Sequence, residues 1–197
     1  AGDFAMRLRQ FGLALAAGLA LAGGAPAADV DQTPVLLVAK PSMGDFYRNT
    51  VLFARPMGNG SHIGFIVNRP TEVTMSQIFP GHAPSRKLTE PVFLGGPLHA
   101  DAVYAVVRRS DNPGGHTIPL ADGMFLVMDA DTVDRVIEQN RSGTRFYAGL
   151  VLWRPGELEH ELSRGFWYVL DHDAGLIFRK PTDGLWEELV GRSRPML

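Results

Sequence analysis

The apolar runs after residue 28 are short, and proline or glycine closes most of them. Val35–Ala39 meets Lys40-Pro41, Thr50–Arg55 meets Pro56, Ile63–Asn68 meets Pro70, Pro91–Leu94 meets Gly95-Gly96-Pro97, and Phe146–Trp153 meets Pro155. Proline has no N–H to give to a ladder or a helix, and glycine enters the positive-φ region at little cost. Segments punctuated in this way are strands of about four to eight residues joined by tight turns. The absence of strict strand–helix alternation argues against a doubly wound sheet, and the absence of a repeat period argues against a solenoid or propeller.

Val35-Leu36-Leu37-Val38-Ala39 is apolar at every position, so it is expected as a strand buried on both faces and placed centrally in its sheet. Thr50–Arg55 and Ile63–Asn68 flank Pro56-Met57-Gly58-Asn59-Gly60 and predict an antiparallel hairpin, with Pro70 stopping the second strand. Further strands are expected at Pro91–Leu94, Ala102–Val107, Met124–Met128, Phe146–Trp153, Phe166–Leu170 and Leu176–Phe178. Thr74 and Gln77 have capping-box spacing and predict a short helix from Met75 to Phe79. Val133, Val136 and Ile137 recur at helical spacing over Asp131–Asn140, with Asp129 or Asp131 as N-cap. Pro155, Glu157 and Glu159 open a third helix with Arg164 at its basic end, and a last one is expected near Leu185–Val190. Largely antiparallel strands with a few short helices make one α+β domain over residues 28–197.

With 197 residues, 45% of them hydrophobic, the chain can furnish a real core at the usual size of a single domain. Its 19 Lys+Arg against 21 Asp+Glu give no broad cationic face, which disfavours nucleic acid as a partner. The absence of cysteine removes disulfides, thiol nucleophiles and thiolate metal ligands. Ahead of the domain, Met6, Arg7 and Arg9 precede an apolar run from Phe11 to Ala22 and the small residues Ala25 and Ala27. That order predicts a secretory signal peptide within residues 1–27, cleaved after Ala27, with Ala1–Ala5 as an appended remnant or an upstream start. A periplasmic or secreted domain is the consequence. The run is short of the ~20 residues of a bilayer span, and no later stretch is long and apolar enough for one.

The six histidines, His62, His82, His99, His116, His160 and His172, include no pair at metal-ligand spacing. Glu157 and His160, at i and i+3, form half of a di-iron carboxylate pattern whose other half is missing, so a solvated helix face explains them. Neither a Gly-x-Ser-x-Gly elbow nor a Walker A loop is present. Gly58-Asn59-Gly60 leads into a strand rather than a helix, and no cofactor is expected. A hydrolase survives as an alternative only if folding gathers Ser42, Asp45, His62 and Arg69. Asp45, Asn68 and Arg69 stand at strand ends beside proline or glycine. If they converge at one sheet edge, Arg69 would hold a carboxylate or phosphate bidentately and Asn68 would add a donor and an acceptor. Buried structural hydrogen bonding explains the same residues equally well. Gly95 and Gly96 either present amides to an anion or simply reverse the chain.

Four segments together resemble the AlgH/YqgE family of bacterial proteins: Ala39-Lys40-Pro41-Ser42-Met43-Gly44-Asp45, Gly64-Phe65-Ile66-Val67-Asn68-Arg69-Pro70, Phe93-Leu94-Gly95-Gly96-Pro97 and Trp153-Arg154-Pro155-Gly156-Glu157-Leu158-Glu159. Their order and spacing fit from Leu36 to Arg192. The resemblance implies a compact domain with a barrel-like antiparallel sheet and helices packed around it. It implies no agreed catalytic activity, and the family's association with exopolysaccharide gene regulation suggests an indirect or transcriptional role in the cytoplasm. The leader departs from that picture, as does Glu157 where glutamine is usual. The resulting expectation is a monomeric, non-catalytic binding or regulatory domain. Its protein or small-molecule partner would meet a surface built from Asp45, Asn68, Arg69, Gly95, Gly96 and Glu157.

Overall fold

The computed structural model describes residues 29–193, so the expected leader lies outside the described residues. Ten strands form one curled half-barrel sheet. They are β1 (Val35–Ala39), β2 (Val51–Pro56), β3 (His62–Ile66), β4 (Pro70–Thr74), β5 (Pro91–Leu94), β6 (Leu98–Arg108), β7 (Thr117–Pro119), β8 (Met124–Val127), β9 (Thr144–Trp153) and β10 (Trp167–Asp171). The main path runs β10-β1-β2-β3-β9-β6-β8-β7, with β4 and β5 attached beside β9. The described α-helices are α1 (Met75–Ile78), α2 (Ala130–Gln139), α3 (Glu157–Ser163), α4 (Ala174–Ile177) and α5 (Leu185–Ser193). This is the expected α+β domain, and its ladders are antiparallel except where β5 runs parallel to β9. No helix among the described residues is long and apolar enough to cross a membrane.

β1 is wholly buried, yet it is not central, because only β10 separates it from the sheet edge. Its alternating side chains enter two different cores. Leu36 and Val38 pack with Phe53, Phe65 and Tyr147 against Ile177 of α4 and Leu185 and Leu189 of α5. Val35, Leu37 and Ala39 pack with Trp153, Trp167 and Leu158 of α3. Two covered faces, rather than a central place, are what demand an unbroken apolar strand. A third cluster seats Met75 of α1 and Val133, Val136 and Ile137 of α2 on Val92, Ala105, Val127 and Phe146.

β9 joins the two halves of the sheet. Its first part lies between β5 and β6, with Tyr147 flanked by Phe93 and Tyr104. Its end pairs with β3, Trp153 opposite His62. Where β5 gives way to β3, Gly95 and Gly96 pass directly against β9. A Cβ on Gly95 would sit 2.3 Å from the Gly149 carbonyl oxygen, and one on Gly96 would sit 2.2 Å from that of Leu150. Only residues without a side chain allow this approach.

Several expectations are corrected. Pro70 does not stop a strand; β3 ends at Ile66, and Pro70 opens β4, where a first position needs no ladder donor. Leu176–Phe178 is not a strand, because the Asp173 carboxylate accepts from Gly175 N and caps the single turn of α4. β6 begins at Leu98, earlier than expected, and β7 was not anticipated. The helices α1, α2, α3 and α5 occur where expected. Thr74 N donates to Gln77 Oε1 at 2.8 Å, and the Asp129 carboxylate caps α2 by accepting from Thr132 N at 2.9 Å.

Candidate functional site

Asn68 and Arg69 meet Asp45's loop at one end of the sheet. Asn68 Oδ1 accepts from Val51 N at 2.9 Å, and its Nδ2 donates to Asn49 O at 2.9 Å. Arg69 Nη2 donates to Phe46 O at 2.8 Å and to Thr50 Oγ1 at 2.7 Å, and the guanidinium lies 4.9 Å from the Phe46 ring centroid. Burial pushes the Arg69 guanidinium below its ordinary range, with the nearby Tyr47 phenol opposing it. These bonds go to backbone and a buried threonine, so the pair acts as a clamp on residues 45–50. Asp45 is exposed at φ 55°, opening a 3-10 turn. Gly95 adjoins the clamp through its carbonyl, which accepts from Ile66 N at 2.8 Å.

Glu157 is not part of this group. β3 separates the Asn68 end from the His62–Trp153 end by about 20 Å of extended chain, and α3 begins beyond Trp153. There Glu157 accepts from Arg154 N at 2.7 Å and Arg154 Nε at 2.9 Å. The backbone bond is the main reason its carboxyl is held below the usual carboxylate range. The six expected surface residues therefore do not line one concavity. Ser42, just past β1, shares the Asn68 end, whereas His62 is buried at the other, so the dispersed hydrolase constellation is not assembled. On α3, Glu161 Oε2 accepts from both Trp153 Nε1 at 3.1 Å and Trp167 Nε1 at 2.8 Å, and both indoles are buried in the core beneath the helix.

Two adjoining clefts lie elsewhere, around a residue that sequence reasoning missed. Arg145 of β9 is 2% exposed. It donates from Nη1 to Ile177 O at 2.6 Å and from Nη2 to Arg179 O at 3.0 Å, and it sits 4.2 Å over the Phe93 ring. Its Nε is buried without a partner, and none of the ion pairs among the described residues includes it. Arg145 lines two adjoining clefts of about 280 and 210 Å³. Lys87, Arg141 and Lys180 join it in the larger cleft, where Glu90 is the acidic residue. Glu90 and Lys180 pair with each other and line both clefts. Two residues along β9, the Tyr147 hydroxyl is buried without a partner at hydrogen-bond geometry; burial pushes this phenol strongly up, and the Arg145 guanidinium opposes the shift by its charge and its donor groups.

Comparison with known proteins agrees with this architecture. A UPF0301 protein of Streptomyces avermitilis is 33% identical over 168 residues, covering 81% of this chain and 85% of the relative. One from Xylella fastidiosa is 32% identical over 164 residues, covering 80% and 86%. Among solved structures, the AlgH protein of Pseudomonas aeruginosa superposes with a TM-score of 0.68 at 20% identity, over 80% of this chain and 86% of that one. A Corynebacterium diphtheriae protein does so with a TM-score of 0.67 at 22% identity, over 86% and 90%. With the AlgH-like family model (DUF179) matching residues 36–195, the chain belongs to the AlgH-like family.

Proposed function

We propose that this protein is a non-catalytic binding domain whose paired clefts take a small molecule bearing a carboxylate or phosphate. One observation carries the reading: the Arg145 guanidinium is buried, lines both clefts and lacks a counter-charge. An unpaired buried cation costs several kcal/mol, which two carbonyl bonds and a stacked ring offset only in part. A bound anion supplies the missing charge. Lys87, Arg141 and Lys180 around the larger cleft favour its approach. Each cleft is smaller than the roughly 300 Å³ at which drug-sized ligand sites begin, so the ligand has a short body. The leader expected in residues 1–27 makes export to the periplasm part of this reading. A regulatory role follows if occupancy alters the Lys180–Asp183 wall that a protein partner would read.

The test is thermal shift and ligand-observed NMR with inorganic phosphate, phosphate monoesters and short dicarboxylates. The expected result is saturable stabilisation that weakens with salt, is abolished in Arg145→Met and is reduced in Arg141→Ala and Lys180→Ala. The last two alter exposed side chains and serve if Arg145→Met fails to fold. Absence of binding across the panel, or affinity unchanged in the two exposed variants, overturns the reading.

A further inference from the structure

The His62 end of the sheet holds a second group of polar side chains, remote from the clefts. His62 is 1% exposed. One of its ring nitrogens, one Asp31 carboxylate oxygen and one Glu159 carboxylate oxygen lie within 4.8 Å of one another. His62 Nε2 is 2.9 Å from Val30 O and 3.9 Å from Asp31 Oδ1. A carbonyl oxygen only accepts, so in the neutral ring Nε2 carries the proton and Nδ1 presents a lone pair. That Nδ1 is buried without a partner, and so is Glu159 Oε2. Two electron-pair donors are thus withdrawn from water with no hydrogen to share, in a class of group that folded proteins rarely leave unsatisfied.

We propose that Asp31, His62 and Glu159 form a divalent-cation site that fastens the segment entering β1 to helix α3. In this site a dication accepts the Nδ1 electron pair and a Glu159 carboxylate oxygen, the buried atoms left without partners, while Nε2, 3.9 Å from Asp31 Oδ1, keeps its bond to Val30 O. The bond from the other ring nitrogen to a backbone carbonyl is the arrangement that fixes the tautomer of a metal-ligating histidine. One nitrogen and two carboxylates form a donor set suited to Zn²⁺, Mn²⁺ or Fe²⁺. Donor atoms around a tetrahedral zinc stand about 3.4 Å apart. Asp31, exposed in the turn before β1, is free to close the difference, whereas His62 is held in the β3–β9 ladder and α3 is anchored by fully buried Leu158. His82, Asp134 and Glu138 make a second carboxylate–histidine group, but both His82 nitrogens already have partners, Ser85 Oγ at 2.7 Å and Asp134 at 3.0 Å.

The decisive experiment is calorimetric titration of the untagged, chelator-treated protein with Zn²⁺, followed by Mn²⁺ and Fe²⁺. One equivalent should bind with micromolar or tighter affinity and raise the melting temperature. Glu159→Gln and Asp31→Asn should each weaken binding at least tenfold while circular dichroism stays unchanged, and His160→Ala, altering an exposed neighbour, should leave it intact. His62→Asn should abolish binding, and the two carboxylate variants decide the matter if it does not fold. No saturable equivalent for any of the three ions overturns the proposal. So does affinity unchanged in either carboxylate variant, or binding lost in His160→Ala.

Discussion

Asn68 uses both ends of one amide to tie the chain after β3 to the residues that open β2. Its oxygen holds Val51 N at the start of β2, its nitrogen holds Asn49 O, and Val51 itself is fully buried. Asn68→Ala leaves a buried N–H without an acceptor and should cost about 1–3 kcal/mol, read from urea denaturation. Anion affinity at the Arg145 clefts should not change in this variant, since the clamp contributes no residue to them. The glycines give a sharper contrast. In Gly96→Ala the new methyl group meets a backbone carbonyl at 2.2 Å, where no flexible side chain can yield, so a loss of about 3 kcal/mol or more is expected. Gly81 has nothing within 4 Å of its would-be Cβ, and Gly81→Ala should stay within about 0.5 kcal/mol of the parent.

Among the elements, α3 shows how one short helix does three tasks with three of its seven residues. Glu157 secures its N-terminus, Glu161 receives two indoles, and Leu158 is fully buried in the core it shares with Leu37 and Trp167. Leu158→Ala should destabilise the protein by about 2–5 kcal/mol, measured by chemical denaturation, because a cavity opens between helix and sheet. This helix was legible from Pro155 and the acidic first turn, as α2 was from its spaced valines and Asp129. α4 was not: Leu176-Ile177-Phe178 is too short for periodicity to separate strand from helix, and the Asp173 cap decides it. The first four residues of β6 are exposed and carry no apolar alternation to mark them as strand. The convergence of Asn68 and Arg69 with Asp45's loop was legible from their strand-end positions, but whether they faced a ligand or backbone depended on how residues 45–50 folded. Arg145 was invisible for a different reason. Its burial depends on carbonyls supplied 32 and 34 residues later and on a parallel β5–β9 pairing, none of which leaves a local pattern.

For the molecule as a whole, the two classes of perturbed acid set unequal limits on stability at low and high pH. Asp111, Asp129, Glu157 and Glu188 are held below the usual carboxylate range by hydrogen bonds and neighbouring arginines. Depressed folded values contribute stability above the unfolded values near pH 4 and lose it as pH falls through the folded ones. All four carboxylates are solvent-screened, so the acid limb should be shallow and sensitive to salt. Tyr47, Tyr104 and Tyr147 are shifted up, chiefly by burial. Raised phenol values contribute fully below the unfolded value near pH 10 and are lost as pH rises through the folded values. Tyr147 dominates that side because its hydroxyl is buried with no partner and a phenolate there has no access to water. Urea midpoints should therefore be level between about pH 5 and 9, decline gently below, and fall steeply above about pH 10. Tyr147→Phe removes a buried hydroxyl that has no partner at hydrogen-bond geometry and only the Arg145 guanidinium drawing on it, so at pH 7 it should be close to neutral. The same variant should flatten the alkaline limb while leaving the acid limb untouched. An alkaline limb of unchanged steepness would place its cause outside the Arg145–Tyr147 core.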